Sequence, residues 1–198
     1  SVVGHSSGEI SAAYAAGICD LEGAMALAYW RGQMTSVLKS SFSSLKGTMI
    51  AIGTSREAIQ PMLKTLSGYA TVACVNSPSS VTVSGDASAI DELEKVLRDR
   101  QLFNRKLKID VAYHSDHMKK VAEVYLAAIK TIQHFPSAKV SFFSSVFGRF
   151  AKPSELGPEY WIANLTSPVL FSDALVKIVS DDNTRPNLLI EIGPHSTM

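Results

Sequence analysis

Apolar positions along this chain switch between a spacing of three to four residues and a spacing of two, and each switch marks an element. Glu9 to Ile18, rich in alanine, reads as a helix. Leu21, Met25, Leu27, Ala28, Met34 and Leu38 then recur at helical spacing, which predicts a second helix over 21–38 with Asp20 as its N-cap. Gly47 to Gly53 (GTMIAIG) reads as a strand, Arg56 to Leu66 as a helix and Thr71 to Asn76 (TVACVN) as a second strand. The turn Ser77-Pro78-Ser79-Ser80 leads into a third strand, Val81 to Ser84, closed by Gly85-Asp86. Ala87 to Arg100 is a helix with Ile90, Leu93 and Leu97 on one face, and Phe103 to Ile109 is a fourth strand. That β-α-β-β-α-β order predicts a ferredoxin-like unit. A helix from Lys119 to Thr131, a strand at Val140 to Ser144, a short helical region from Tyr160, a helix from Phe171 to Val179 and a last strand at Asn187 to Ile192 complete the chain. Outside the insert, strands and helices alternate, which predicts a doubly wound α/β sheet.

Composition narrows the function classes. At 198 residues the chain buries a full core, and its 46% hydrophobic and 19% charged residues are those of an ordinary soluble globular protein. A net charge of +1 gives no general attraction to nucleic acid or to a membrane surface. Two cysteines, Cys19 and Cys74, support neither a disulfide framework nor a zinc site, so a reducing, cytoplasmic setting is expected. No signal peptide is seen, and no apolar run reaches the ~20 residues that span a bilayer. Both ends read as cut: only Val2 and Val3 remain of the strand before Gly4, and Pro194 to Met198 directly follow the last strand. The chain is therefore expected to be a piece of something longer.

The chemistry concentrates at Gly4-His5-Ser6-Ser7-Gly8, a G-x-S-x-G. Such a stretch forms a strand-to-helix turn that exposes one hydroxyl, here that of Ser6. Gly4 and Gly8 are expected where the turn leaves no room for a Cβ. The helix after Ser6 points its free N–H groups at a developing oxyanion, with the Ser7 N–H as first donor. His114, in a loop beyond a strand, is placed for general-base work. From spacing alone Arg31 is an exposed or snorkelling arginine. His5 is expected to pack locally, His134 to lie at the surface of a helix end, and both cysteines to be buried hydrophobes. His117 follows His114 by three residues, but no carboxylate or cysteine set joins them, and no metal is expected. The basic residues Arg98, Arg100, Arg105, Lys106 and Lys108 read as a solvated face, the alternative being an electropositive lip for an acidic partner or a phosphate. The order Ser6, then Asp173 or Asp182, then His195 is that of an α/β-hydrolase and leaves a thioesterase or esterase open. A fragment that docks partners without turnover is the non-enzymatic alternative.

Further motifs lie along the chain: Asn76-Ser77-Pro78-Ser79-Ser80-Val81-Thr82-Val83-Ser84-Gly85, Ala112-Tyr113-His114-Ser115, Tyr160-Trp161 with Asn164-Leu165, and Glu191-Ile192-Gly193-Pro194-His195-Ser196. With Gly4-His5-Ser6-Ser7-Gly8-Glu9 ahead of them, the chain resembles the acyltransferase domain of a polyketide synthase, close to those of fungal highly reducing, iterative synthases. The resemblance implies an α/β-hydrolase-like core at 1–44 and 110–198 with an inserted ferredoxin-like subdomain at 45–109. It implies Ser6 as nucleophile, His114 as its base and a backbone carbonyl near Asn164 that orients the His114 ring. Arg31 would grip the free carboxylate of a malonyl group, in place of the snorkelling role, and a hydrolase has no need of such a group. Tyr113, a bulky aromatic just before the base, implies malonyl rather than methylmalonyl. No bound cofactor is implied: malonyl-CoA is the substrate and the phosphopantetheine thiol of an acyl carrier protein the acceptor. The implied partners are that carrier domain and neighbouring ketosynthase and other synthase domains, with no nucleic acid and no membrane. The family's N-terminal G-Q-G-x-Q segment, which supplies a second oxyanion donor, is absent from this sequence. The isolated piece is therefore expected to be inactive or unable to fold alone.

Overall fold

A computed structural model describes residues 1–135, 137–180 and 185–193. The chain opens with β1 (Val2–Val3), turns through Ser6 and enters α1 (Gly8–Ala16). Gly17, at φ 76°, ends that helix in the left-handed region that a residue lacking Cβ reaches without strain. Asp20 caps α2 (Leu21–Ser41) as its spacing predicts, Oδ1 accepting the Gly23 N–H at 2.7 Å. The β-α-β-β-α-β run follows as β2 (Gly47–Ile52), α3 (Arg56–Leu63), β3 (Ala70–Ser77), β4 (Ser80–Asp86), α4 (Ala87–Asp99) and β5 (Asn104–Lys106). Its four strands form one antiparallel sheet in the order β3-β4-β2-β5. Ile90, Leu93 and Leu97 of α4 pack against Ile50, Ile52, Val72, Val81 and Val83 of that sheet in a core of their own.

The rest of the chain builds a second layer. It runs through α5 (Asp116–Lys119), α6 (Ala122–Ile129), β6 (Phe142–Ser144), β7 (Arg149–Ala151), a short 3₁₀ turn at Pro153–Glu155, α7 (Pro158–Thr166) and α8 (Phe171–Ser180). β1 pairs in parallel with β6, and β7 returns antiparallel to β6. The largest buried side chains here, Trp161, Tyr125, Phe142 and Leu27, belong to one core between α1, α2, α6 and α7. The two layers are stitched by backbone. The Val75 N–H donates to the Val169 carbonyl and the Val169 N–H to the Ala73 carbonyl, both at 2.8 Å.

Four expectations are corrected. The strand over Phe103–Ile109 shrinks to Asn104–Lys106, although Gly53 N–H to Phe103 O and Leu107 N–H to Met49 O, each 2.9 Å, continue its contact with β2. The helix over Lys119–Thr131 is two helices: the first, capped by Ser115 accepting the His117 N–H, closes with three-residue bonds from the Lys120 N–H to the His117 carbonyl and from the Val121 N–H to the Met118 carbonyl, and the second starts at Ala122. Among the described residues the doubly wound sheet is one parallel pair with an antiparallel edge, and the edge strand β7 carries no apolar alternation to announce it. Asn187–Ile192 is not a strand. Leu188 is 72% and Ile192 96% exposed, since an apolar run becomes a strand only where another strand takes its backbone groups.

Candidate active site

The turn between β1 and α1 holds Ser6 at φ 54°, a left-handed conformation that costs a non-glycine residue strain. Gly4 makes it possible: a Cβ there would fall 2.2 Å from the Glu9 nitrogen. At Gly8, however, a Cβ would meet nothing within 4 Å, so the steric reason expected for that glycine does not hold. Gly8 is the exposed first residue of α1, and its Cβ direction leads away from the returning backbone. Gly4→Ala should therefore destabilise the protein by at least about 2 kcal/mol. Gly8→Ala should leave stability within ~0.5 kcal/mol. Urea midpoints of the two variants in the full-length protein check the contrast.

His114 arrives from the other side, at the end of a loop whose backbone also enters the left-handed region (φ 59°). Its N–H donates to the Leu165 carbonyl at 3.2 Å. Its ring bridges two partners: Nδ1 lies 3.0 Å from the Ser167 carbonyl and Nε2 2.7 Å from Ser6 Oγ. A carbonyl can only accept, so the proton sits on Nδ1 and Nε2 is left to accept from the Ser6 hydroxyl. Burial and the nearby Arg31 charge push the His114 pKa down to about 3, against the opposing pull of the Ser167 carbonyl. The ring is thus neutral at physiological pH, with Nε2 unprotonated.

Asn164 needs correction as the source of the orienting carbonyl. The hydrogen bond to His114 comes from Ser167, three residues on, with the Asn164 carbonyl a weaker contributor. Both carbonyls lack an intrahelical partner, since the residue four beyond Asn164 is Pro168, which has no N–H, and Ser167 is the C-cap of α7; it is the course of the chain after the helix that sets the Ser167 carbonyl against the ring. Asn164 still reaches the site with its side chain, Nδ2 donating to the Ser6 carbonyl at 3.0 Å.

Arg31 does not snorkel. Its guanidinium is buried, Nη2 donates to Ser6 Oγ at 3.0 Å and Cζ stands 5.5 Å over the Tyr113 ring. Its Nε has no partner, and no carboxylate pairs with it among the described residues. Tyr113 packs into the main core and into the small cluster between the layers, with Met49, Ala73, Cys74 and Val169. The Ser7 N–H, at the exposed mouth of α1, donates to no group among the described residues. Ser6, Ser7, Arg31, Tyr113, His114 and Asn164 are thus brought together from four separate parts of the chain.

Other titratable groups sit elsewhere. His5 Nε2 pairs with Asn76 Oδ1 at 2.9 Å and its ring lies 5.5 Å from Phe171, so it joins the Ser6 turn to the antiparallel sheet. His117 Nε2 meets Asp86 Oδ1 at 2.8 Å and stacks on Tyr69, a further tie between the layers. His134, expected at the surface, has both ring nitrogens buried without partners, and burial lowers its pKa. Cys19 and Cys74 are buried free thiols, with pKa values raised to about 11 and about 12 by desolvation. In the basic cluster Arg98 pairs with Glu94 and Lys106 with Asp91, while Arg100, Arg105 and Lys108 are exposed. Asp173 is exposed on α8; Asp182 and His195 lie outside the described residues. No group of three His, Cys, Asp or Glu side chains among the described residues is placed to hold a metal, and no described helix is long and apolar enough to cross a membrane.

Two features escaped the sequence. One is Ser167, an unremarked residue before Pro168. The other is Glu9, fully buried, with a carboxylate that accepts from Ser145 N–H (2.6 Å), Tyr160 O–H (2.7 Å) and Asn164 Nδ2 (2.8 Å). A lone carboxylate beside Ile10, Ala12 and Ala13 was the signal available for it.

Known proteins resemble this chain along its length. The model of the acyl transferase domain family matches residues 1–198. A highly reducing polyketide synthase of Aureobasidium melanogenum is 52% identical over 200 residues, covering 100% of this chain and 9% of that protein. Another, from Cladosporium cladosporioides, is 49% identical over 211 residues with the same coverage, so the chain spans 9% of the length of these relatives. Among solved structures, the acyltransferase domain from module 8 of the salinomycin polyketide synthase superposes with a TM-score of 0.83 at 31% identity, covering 90% of this chain and 41% of that one.

Proposed function

This chain belongs to the acyl transferase domain family, and from that premise we propose that it moves a malonyl extender unit from malonyl-CoA to the phosphopantetheine thiol of an acyl carrier protein, through a Ser6 acyl-enzyme, within a polyketide synthase. The single observation that carries the substrate is Arg31. A buried guanidinium with no carboxylate paired to it among the described residues, placed on the nucleophile itself, calls for an acyl group that brings its own carboxylate. A planar fork matches that carboxylate bidentately, which an ammonium group does not.

The steps follow from the hydrogen bonds. The Ser6 hydroxyl attacks the thioester carbonyl carbon as its proton passes to His114 Nε2, with Nδ1 held by the Ser167 carbonyl. The Ser7 N–H faces the oxyanion, helped by the N-terminus of α1. Collapse breaks the carbon–sulfur bond, and the protonated His114 returns its proton to the departing CoA thiolate. The carrier thiol then repeats the sequence on the acyl-serine, giving its proton to His114 and releasing Ser6. Tyr113, under the Arg31 guanidinium, crowds the carbon beside the carboxylate and disfavours a methyl branch by ~1–3 kcal/mol.

We read the architecture as an α/β-hydrolase-like core at 1–44 and 110–198 with a ferredoxin-like subdomain at 45–109, supported by the parallel β1–β6 pair and the β3-β4-β2-β5 order. Partners would be the carrier protein and neighbouring synthase domains, in the reducing interior of the cell that two free thiols favour.

Intact mass of the full-length protein after brief exposure to malonyl-CoA tests the proposal, and the expected result is one malonyl adduct. Steady CoA release without an adduct would point to a hydrolase instead. Arg31→Ala should lower malonyl loading on the order of 10²-fold while acetyl loading falls far less, because only the malonyl group loses a charged hydrogen bond. Equal losses for both acyl groups would make Arg31 a structural residue.

A further inference from the structure

We propose that Glu9 is a positioning residue of this site: its buried carboxylate fixes the Asn164 amide, which in turn holds the strained Ser6 backbone in the conformation that presents Oγ to His114. The inference rests on Ser6 being the acylated nucleophile.

The hydrogen bonds form a closed ring. The Ser6 carbonyl accepts twice, from the Glu9 N–H at 3.1 Å and from Asn164 Nδ2 at 3.0 Å. Asn164 Nδ2 spends its second hydrogen on Glu9 Oε2 at 2.8 Å. Glu9 thus grips the Ser6 carbonyl directly with its backbone and indirectly with its carboxylate. Asn164 Oδ1, by contrast, is buried and without a partner. Nothing on that side of the amide favours one orientation over the other, so the choice falls to the acceptor on the Nδ2 side. A carboxylate accepts only, and with the Ser6 carbonyl, which also only accepts, it sets Nδ2 and not Oδ1 on this side of the amide.

The other contacts of the carboxylate extend the same control to the base. Glu9 Oε1 accepts the Ser145 N–H just beyond β6. Tyr160, which donates to Oε2, sits one turn before Asn164 on α7 and receives the Ser144 hydroxyl, itself saturated by the N–H groups of Val146 and Phe147. The C-cap of α7 is Ser167, whose carbonyl orients His114. One helix therefore carries the group that holds the nucleophile's backbone and the group that holds the base's ring, and Glu9 is where that helix is registered on the Ser6 turn. Burial raises the Glu9 pKa, and the three donors oppose the rise; this is the pattern of a carboxylate retained for its acceptor geometry.

Glu9→Gln is the discriminating change, because it keeps shape and burial but turns one acceptor into a donor. The glutamine NH₂ must face either the Ser145 N–H or Asn164 Nδ2. In the second case the Asn164 amide turns over and sets Oδ1 against the Ser6 carbonyl. The experiment is rapid-quench loading of the full-length protein over a range of malonyl-CoA concentrations. Glu9→Gln should lower the limiting rate on the order of 10²-fold with KM unchanged, as expected when a nucleophile is displaced but the substrate contacts are kept. Asn164→Ala should do the same, and the double variant should be no slower than either single one, because both break one link. Wild-type rates in Glu9→Gln, or additive losses in the double variant, would overturn the inference. If Glu9→Gln does not fold, Asn164→Ala decides: a lower limiting rate at constant KM supports the link, and an unchanged rate removes it. If the wild type takes up no malonyl group, the substrate reading fails while the inference is read from modification of Ser6 by a small sulfonyl fluoride, which Glu9→Gln must slow.

Discussion

Ser6→Ala in the full-length protein is expected to abolish the malonyl adduct formed on exposure to malonyl-CoA, a loss on the order of 10⁴–10⁶-fold where a covalent intermediate is obligatory. The substitution removes one atom, and that atom is where the site converges, since Oγ meets both His114 Nε2 and Arg31 Nη2. The neighbouring Ser7 hydroxyl does not replace it, having no base within hydrogen-bond reach among the described residues. The backbone of the turn is held by Gly4, Glu9 and Asn164 rather than by the hydroxyl, so the fold should survive. Intact mass reads the result, and an adduct retained by Ser6→Ala would remove Ser6 from the mechanism.

His114→Ala should slow loading and carrier transfer alike by about 10³-fold, within the range for loss of a general base, and leave malonyl-CoA binding in place. Single-turnover rates for each half-reaction check it, and full activity would move the base to His195. The pH dependence makes a second, independent test. A histidine whose pKa is lowered loses its basic form only as the pH falls toward that lowered value. With His114 at about 3, wild-type loading should pass through the usual histidine value of 6.5 without an inflection. The base should be lost only below about pH 4, a unit above its pKa. An inflection near 6.5 would mean that the base is a solvated histidine and not this buried one.

Much of this is legible in the linear chain because it is local. Asp20 stands one residue before an apolar stripe and caps the helix it announces. The β3–β4 hairpin follows from two short apolar runs joined by a tight turn, whereas β2 is legible as a run but pairs with β4 and β5 only across long stretches of chain. Ser6 is marked by its own neighbours, and the family resemblance carried His114, Arg31 and Tyr113 to positions that the structure brings around it.

What local pattern left open depends on groups that meet from far apart. Arg31 looked like a surface residue because spacing does not tell a helix face turned to solvent from one turned into a cleft; its contact with Ser6 closes 25 residues of chain. The carbonyl that orients His114 is that of Ser167 because of where the chain runs after α7; every carbonyl of the helix's last turn is free of internal bonds, so spacing alone does not single one out. The run Asn187–Ile192 has the composition of a strand but joins neither sheet among the described residues. Composition and short-range spacing determined most of the helices, the β3–β4 hairpin and the serine turn, since propensity, capping and turn geometry act over a few residues. The buried carboxylate of Glu9, the orientation of Asn164 and the inward turn of Arg31 were decided by packing. Each depends on whether a partner more than a hundred residues away, or a whole helix, arrives to satisfy a polar group removed from water.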